Sequence, residues 1–222
     1  MNVYRWDFGF LANNYQLFLK GLLVTFQLAS VILIGAVIIG IVVGAARTSK
    51  HLALSFPATA YVEFFRNIPA LVQVFWFYYT IPILTNIQSS AFVASAFALT
   101  LYNGAYLAEI FRSGIQSIER GQWEAGKAIG LNYTDQMRFV VLPQAIKRIV
   151  PSLTNQGIEI IKLTTVASTI SLGETLYYAK LLAEQEFRPL ESYTTAAVVL
   201  VTIILAMSYW VRRLESRLKQ SD

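Results

Sequence analysis

Five blocks of mainly hydrophobic residues alternate with short polar segments along the chain. Each block reaches the length of about 20 apolar residues that a helix needs to cross the hydrocarbon core of a bilayer. The pattern predicts transmembrane helices at residues 22–46, 57–81, 91–111, 146–172 and 193–211. Residues 1–20 are mixed and rich in aromatic side chains, which favours a short amphipathic helix at the membrane surface. We therefore predict an all-α membrane protein whose residues 1–222 form a single transmembrane domain.

The longest polar segment, residues 117–145, separates the third hydrophobic block from the fourth. It carries six charged side chains and therefore does not belong in lipid. Residues 122–129 predict a short helix, because Gly130 after them can take the left-handed conformation that closes a helix. A second helix is predicted at residues 134–142, and we expect it to end at Pro143.

Composition and charge support a membrane protein with a defined orientation. Hydrophobic residues make up 55% of the 222 residues and charged residues only 14%, against about 25% in soluble domains.

The net charge of +5 could suggest a nucleic acid partner, but most basic residues flank hydrophobic blocks. With five spans, one side of the bilayer receives most of them: Arg47, Lys50, Arg112, Arg120, Lys127, Arg138, Lys147, Arg148, Arg212, Arg213, Arg217 and Lys219. The positive-inside rule places this side in the cytoplasm and the amino terminus outside. We expect the lipid bilayer, and no nucleic acid, as a partner.

A family signature lies within the polar segment. The residues Glu-Ala-Gly at 124–126 are followed by Gly130 and then by Val-Val-Leu-Pro at 140–143. This spacing resembles the EAA motif of permease subunits in bacterial ABC importers, although Gly and Val stand where the motif has its second Ala and an Ile. The run Phe-Arg-Asn-Ile-Pro at 65–69 similarly resembles the branch of this family that takes up polar amino acids.

The resemblance implies the type I ABC importer permease fold, in which five transmembrane helices are joined to a cytoplasmic coupling helix. The protein would then be a multi-pass protein of the bacterial inner membrane, with its carboxyl terminus in the cytoplasm. Residues 117–145 would be the coupling segment, which docks on an ABC ATPase subunit. The residues expected to carry this contact are Gly121, Gln122, Trp123, Glu124, Ala125, Gly126 and Gly130. Among these, Trp123 is expected to expose its ring to the partner, because its neighbours are small.

The resemblance also implies a complex with a second permease subunit, ABC ATPase subunits and an extracytoplasmic solute-binding protein. The second permease is either a copy of this chain or a sister subunit. ATP and Mg²⁺ would bind the ATPases, because this chain has no G-x-x-x-x-G-K-[ST] phosphate loop. We expect no cofactor or metal on this chain, which has no cysteine and one histidine. The chain is thus predicted not to be an enzyme, but to move an amino acid into the cytoplasm by alternating access.

Polar side chains within the second, third and fourth blocks are candidates for binding the cargo. An amino acid that leaves water needs a cation or donors for its carboxylate and an acid or carbonyls for its ammonium group. The candidate substrate-binding residues are Gln73, Asn103, Glu159, Lys162, Thr165 and Ser168. We expect Glu159 to bind the ammonium group and Lys162 the carboxylate. Alternatively the two side chains satisfy each other, because they lie three residues apart on one helix.

Two charged residues of the second block are a gate or a structural ion pair. Glu63 and Arg66 lie three residues apart, and charges within a span are expected to face protein or a water-filled path. Pro69 should kink this helix, because it removes one backbone donor. In the first block, Ala36, Gly40 and Gly44 recur every fourth residue, which favours close packing against another helix.

Two other functions remain open at this level. One is an ion-gradient-driven secondary transporter or channel subunit, although the inverted repeats common in such folds are not visible. The other is a membrane scaffold whose polar segment docks a partner without any transport pathway. The sequence also leaves open which amino acid is carried, and Leu163 stands where the family commonly has an acid.

Overall fold

The computed structural model describes the backbone of residues 4–219 and the side chains of residues 4–213, within which all regular structure is helical. In chain order the α-helices are α1 (Gly9–Arg47), α2 (Leu52–Asn67), α3 (Ala70–Phe75), α4 (Ile81–Thr85), α5 (Ala91–Gln116), α6 (Arg120–Ala128), α7 (Tyr133–Gln136), α8 (Leu142–Thr164), α9 (Thr175–Gln185) and α10 (Pro189–Lys219). Two π turns, at Trp76–Thr80 and Met137–Val141, join α3 to α4 and α7 to α8. A 3₁₀ turn at Thr165–Ile170 follows α8. The side chains of Arg217 and Lys219, in the predicted basic tail, lie outside the described residues.

Three described helices are long and apolar enough to cross a membrane: Gly9–Arg47, Ala91–Gln116 and Pro189–Arg213. The run from α2 to α4 qualifies as a fourth span that is bent by 102°. The predicted fourth span corresponds to α8 and the 3₁₀ turn. Its polar residues lower its mean hydropathy, and it does not qualify as a candidate span by the measure that the other three helices meet. Five spans, and the orientation of the termini, therefore remain predictions.

Helix α1 begins earlier than the hydrophobic pattern indicates. Instead of a separate surface helix before residue 22, one continuous helix starts at Gly9. Phe18 is buried against Ala179 and Leu182 of α9, and the Thr25 hydroxyl lies 2.9 Å from that of Thr175. The first turns are thus stabilised by tertiary packing, which overrides their weak local hydrophobicity.

The chain breaks at Pro69 more sharply than a kink. Helix α2 ends at Asn67, Ile68 and Pro69 are extended, and α3 starts at Ala70. The proline ring disfavours the helical conformation for the residue before it, so Ile68 leaves the helix. This produces the large bend between the two halves of the predicted second span.

Pro143, by contrast, does not end a helix, and that prediction was wrong. The π turn immediately before α8 carries the chain from α7 into α8, and the Leu142 N–H bonds the carbonyl of Met137. Pro143 therefore falls in the first turn of α8, where a missing N–H costs little. The helical run continues to Thr164.

Contacts divide the chain into two compact units. The first comprises segments within Met1–Leu33, Pro69–Leu99 and Ile158–Ser208. In it, Phe18 packs on α9 and on Ala196 of α10, and α3 packs on the 3₁₀ turn.

The second unit comprises segments within Ile34–Ile68, Thr100–Gly157 and Tyr209–Asp222. In it, the small-residue stripe of α1 packs directly on α5. A Cβ atom at Gly40 would lie 2.6 Å from the Cβ of Leu107, and one at Gly44 would lie 2.9 Å from the carbonyl oxygen of Ala108. The predicted close approach is thus observed, and only glycine permits it.

Candidate functional site

The short helix predicted at residues 122–129 is observed as α6, which starts two residues earlier, and it ends as the glycine pattern indicates. Ile129 caps the helix, and Gly130 follows with φ +83°. The Leu131 N–H bonds the carbonyl of Gly126 at 3.0 Å, and the Gly130 N–H bonds that of Lys127 at 3.0 Å. This pair of bonds is a Schellman motif, which satisfies the last carbonyls of the helix and turns the chain.

The turn leads directly into α7, and one glutamine of α7 forms a hydrogen bond to α6. Asn132 begins α7 by accepting the Asp135 N–H at 2.9 Å. Gln136 is buried, and its amide donates to the backbone carbonyl of Trp123 on α6. A Cβ atom at Gly126 would lie 2.6 Å from this amide nitrogen. Gly126, which departs from the EAA pattern, is therefore matched to Gln136 within this chain.

Helix α6 has an exposed outer face and a more buried inner face. Five of the predicted coupling residues are exposed: Gly121, Gln122, Glu124, Ala125 and Gly130. Gly126 is buried and Trp123 is half-buried, so the expectation of a freely presented Trp123 ring was wrong. The Trp123 ring stacks on Tyr133 and packs against a buried cluster formed by Ile118, Val141 and Ala145.

The sequence analysis missed the large apolar side chains that this segment does expose. Ile129 is 76% exposed, and Tyr133 and Phe139 are each 63% exposed. Exposed aromatic and aliphatic side chains beside a polar helix face are typical of a protein contact surface. For Ile129 the available signal was its position next to Gly130, where the chain turns away from the helix; no comparable local signal marked Phe139.

Side-chain hydrogen bonds also connect α8 to α6 and to the residue that follows α5. The Gln144 amide of α8 donates to the Gln122 side chain of α6 at 3.1 Å. The Arg148 guanidinium of α8 donates to the carbonyl of Ser117, just after α5. A displacement of α6 would therefore be transmitted to α5 and α8.

An ionic cluster joins the ends of α1 and α5 in the same unit. The Glu109 carboxylate accepts from Arg112 one turn away and from Arg47 of α1. The Arg47 side chain is only 10% exposed, and that of Glu109 is 26% exposed. The spacing of Glu109 and Arg112 could be noted in the sequence, but the contribution of Arg47 depends on the packing of α1 on α5.

Four of the predicted substrate-binding residues are neighbours along the end of α8 and the 3₁₀ turn. Glu159 and Lys162 form an ion pair, and their side chains are about half exposed. The Thr165 hydroxyl donates to the carbonyl of Lys162, and the Ser168 hydroxyl donates to that of Thr165. The alternative in which the two charges satisfy each other is thus the arrangement observed in this state.

The other two candidates are buried. Gln73 lies on α3, which packs on the 3₁₀ turn of the first unit. Asn103 belongs to the second unit, where its side-chain oxygen accepts from Gln156 of α8 at 2.8 Å. Gln156 was not among the predicted site residues, although an amide within a hydrophobic block is itself a signal of an inward-facing position.

Glu63 and Arg66 have different partners rather than each other. The Asn67 amide donates to the backbone carbonyl of Glu63 at 2.6 Å and lies 3.4 Å from its carboxylate. The Arg66 guanidinium lies 5.1 Å from the ring centre of Tyr106, a cation–π contact. The Tyr102 hydroxyl donates to that of Tyr106 at 3.1 Å. The gating role remains a prediction.

A buried carboxyl group that the sequence analysis did not identify caps α9. Glu174 is fully buried, and its Oε1 accepts the Tyr177 N–H at 2.7 Å. Its Oε2 has no hydrogen-bond partner among the described residues. Burial raises the pKa of the Glu174 carboxyl to about 7.

This shift predicts a measurable pH dependence of stability. Because the folded state holds this proton more tightly than the unfolded state, stability is highest at acidic pH and falls as pH rises from about 4.5 through 7. The expected loss is about 3 kcal/mol. Glu174→Gln keeps the cap and removes the ionisation, so its thermal unfolding midpoint should change less between pH 5 and pH 8. Glu184→Gln, on the exposed part of α9, should keep the wild-type pH dependence; equal slopes in both variants would contradict the assignment.

Among the residues whose side chains the structure describes, no three His, Asp or Glu residues lie close enough together to hold a metal ion.

Known proteins resemble this chain over nearly its whole length. The probable glutamine ABC transporter permease protein GlnM of Bacillus subtilis is 33% identical over 211 residues, which are 95% of this chain and 97% of the relative. The glutamine transport system permease protein GlnP of Escherichia coli K12 is 34% identical over 216 residues, covering 97% of this chain and 99% of the relative.

Solved structures agree with these relatives. A crystal structure of an amino acid ABC transporter with histidines aligns with a TM-score of 0.92 at 30% identity, covering 96% of this chain and 100% of that one. An inward-facing MetNI methionine ABC transporter aligns with a TM-score of 0.79 at 20% identity, covering 91% and 96%. The second likeness concerns the fold alone.

The family model described as the inner membrane component of binding-protein-dependent transport systems matches residues 36–220. This range contains the EAA-like spacing, the Schellman turn at Gly130 and the hydrogen bonds that connect α8 to α6 and to Ser117 after α5. The chain therefore belongs to this family of transport system inner membrane components, as the motif at residues 124–143 predicted.

Proposed function

We propose that this chain is the membrane-spanning subunit of an ATP-driven importer that moves a polar or charged amino acid into the cytoplasm by alternating access. The observation that carries the proposal is the coupling segment. Its α6 presents Glu124 and Ala125 outward, while Gln136 and Gln144 form hydrogen bonds to Trp123 and Gln122 of this helix. Arg148 of α8 bonds the carbonyl of Ser117, just before α6.

Coupling follows from these contacts. An ATPase that binds the outer face of α6 and then closes on ATP would displace α6. Because α6 is hydrogen-bonded to α8, and α8 in turn to Ser117 at the end of α5, the displacement would pass into two long helices that carry candidate cargo residues. The relative positions of helices are discrete packing states, so a small shift can switch access from one side to the other.

The cargo is proposed to be an amino acid, since the relatives are named for glutamine and the aligned transporter for an amino acid. The half-exposed pair of Glu159 and Lys162 can be opened by a zwitterion. The ammonium group of the cargo would replace Lys162 beside Glu159, and its carboxylate would replace Glu159 beside Lys162. This exchange replaces one ion pair within the chain by two ion pairs between the chain and the cargo, so no charged group is left unpaired when the cargo binds.

The complex is proposed to contain a second permease subunit, ABC ATPase subunits that bind ATP and Mg²⁺, and an extracytoplasmic solute-binding protein. The five helices α1, α2 to α4, α5, α8 and α10 would serve as spans in a bacterial inner membrane. The basic ends of these helices favour a cytoplasmic position for α6.

The test is uptake by the complete complex carrying Lys162→Ala. Loss of one charged hydrogen bond to the cargo should raise the amino acid concentration for half-maximal uptake about tenfold or more. Uptake of radiolabelled glutamine and of a panel of polar and charged amino acids into proteoliposomes measures this. The matched control is Lys180→Ala, because Lys180 also pairs with a glutamate on its own helix but lies on α9.

Unchanged half-saturation in Lys162→Ala, with the complex intact, would remove this residue from the cargo site. Uptake that continues without ATP, or without the ATPase subunits, would instead favour a secondary transporter or channel. Full assembly without any uptake of amino acids would favour a scaffold.

A further inference from the structure

A cavity of about 980 Å³ lies within the second unit, beside the coupling segment. Its walls come from the last turns of α1, from α5, from α7 with the π turn after it, and from the first turns of α8. Most of the lining side chains are apolar, and Ile41, Leu142 and Ile146 are 50%, 39% and 53% exposed. The volume is at the upper end of the range of about 300–1,000 Å³ for ligand sites. The cavity is therefore open and apolar, and it is large enough for a substantial ligand.

One edge of this cavity carries a positive charge, that of Lys50. Lys50 and His51, in the connector between α1 and α2, line it together with the hydroxyl groups of Thr48 and Ser49. Within the described side chains, no carboxylate lies within ion-pair distance of Lys50, and the nearby Arg47 is already bound to Glu109. The first turn of α2 contains no acidic residue, so the positive end of its dipole is not offset there.

We propose that this cavity binds a phospholipid with an anionic headgroup. The phosphate would lie beside Lys50 and His51, and the acyl chains would lie against the apolar wall formed by α1, α5 and α8. Basic pockets between transmembrane helices bind anionic lipid headgroups by this combination of charge and apolar surface.

The position along the chain supports a lipid rather than a soluble ligand. Arg47 ends the candidate span Gly9–Arg47, so Lys50 and His51 directly follow the membrane-crossing part of α1. Residues at the ends of spans lie at the depth of the lipid headgroups. Ile41, two turns earlier on the same helix, lines the cavity at the depth of the acyl chains.

Two further lining residues, Tyr133 and Met137, belong to the coupling segment. A lipid in this cavity would therefore touch both a candidate span and the segment that is proposed to receive the ATPase. Binding of the lipid does not depend on the identity of the cargo or on ATP, so it is tested separately from the proposed function.

The first experiment measures the lipid retained by the purified complex. The complex is extracted from nanodiscs that contain equal amounts of phosphatidylglycerol and phosphatidylcholine, and native mass spectrometry counts the lipids that remain bound. Lys50→Gln should retain about fivefold less phosphatidylglycerol, because one lysine near an anionic headgroup contributes about that factor. Lys180→Gln removes the same charge from α9, outside the cavity, and should retain the wild-type amount.

The second experiment fills the cavity without changing its charge. Ala45 lines the cavity and is exposed, so Ala45→Phe should also reduce retained phosphatidylglycerol, whereas Ala60→Phe on α2 should not. Wild-type retention in both Lys50→Gln and Ala45→Phe would overturn the proposal. Equal retention of phosphatidylcholine would also overturn it, because the site would then not recognise an anionic headgroup.

A competing occupant is detected by cross-linking. The chain has no cysteine, so Ala45→Cys provides a single attachment site for a photoreactive label. Cross-links to phospholipid support the proposal, and cross-links to another subunit of the complex instead of lipid would overturn it.

Discussion

Replacing Glu124 by arginine is expected to weaken binding of the ATPase by about 2 kcal/mol, which is roughly thirtyfold. Glu124 is exposed on the outer face of α6, one turn before the Schellman motif that closes the helix. Its substitution leaves the hydrogen bonds of Gln136 and Gln144 to α6 in place, so α6 should still fold. The change acts on the docking surface because it reverses a charge that a partner must accommodate.

Co-purification of the ATPase with a tagged permease, followed by titration of the separated subunits, measures this loss. Glu184→Arg makes the same change of charge on α9 and should leave ATPase binding unaltered. Wild-type affinity in Glu124→Arg would place the docking surface elsewhere, and the exposed side chains of Ile129 and Phe139 would then be the next to change.

Replacing Glu109 by glutamine is expected to destabilise the permease by about 3 kcal/mol. The carboxylate is the shared partner of Arg47 and Arg112, and the Arg47 side chain is nearly buried. Without the carboxylate, two guanidinium groups face each other with only an amide between them. The thermal unfolding midpoint of the purified complex in nanodiscs should fall by roughly 6–12 °C.

The control is Glu159→Gln, which removes a carboxylate from an ion pair of the same spacing at a half-exposed position. Its effect on the unfolding midpoint should correspond to less than about 1 kcal/mol, because solvent screens exposed pairs. Similar shifts in both variants would show that burial of the cluster between α1 and α5 does not contribute to stability.

Local sequence signals predicted the end of α6, the interruption at Pro69 and the close packing of α1, because each signal acts within a few residues. Gly130 permits a positive φ, and the two hydrogen bonds that close α6 connect residues within one turn. Pro69 interrupts a helix by a steric effect on its immediate neighbour. The stripe of Gly40 and Gly44 likewise indicates close packing, although not which helix approaches.

Signals that depend on distant residues were misjudged. Trp123 was expected to face a partner, but it is half-buried and packs against the hydrophobic cluster of Ile118, Val141 and Ala145. Pro143 was expected to end a helix, but a π turn places it at the start of another. For the cargo residues, the sequence favoured Glu159 and Lys162 as a binding site and left their mutual pairing as the alternative. Their half-exposed pairing leaves the site a prediction.

By itself, the amino-acid sequence determined the family, the helical class, the carboxyl-terminal end of α6 and the division into hydrophobic and polar segments, because periodicity and local sterics act over a few residues. Only the tertiary structure decided that α1 extends back to Gly9 on the surface of α9, that Arg47 reaches Glu109, and that Glu174 is buried. Each of these depends on contacts between residues far apart in the chain. Their free energy comes from packing and desolvation, which hydrophobic patterns along a single chain do not specify.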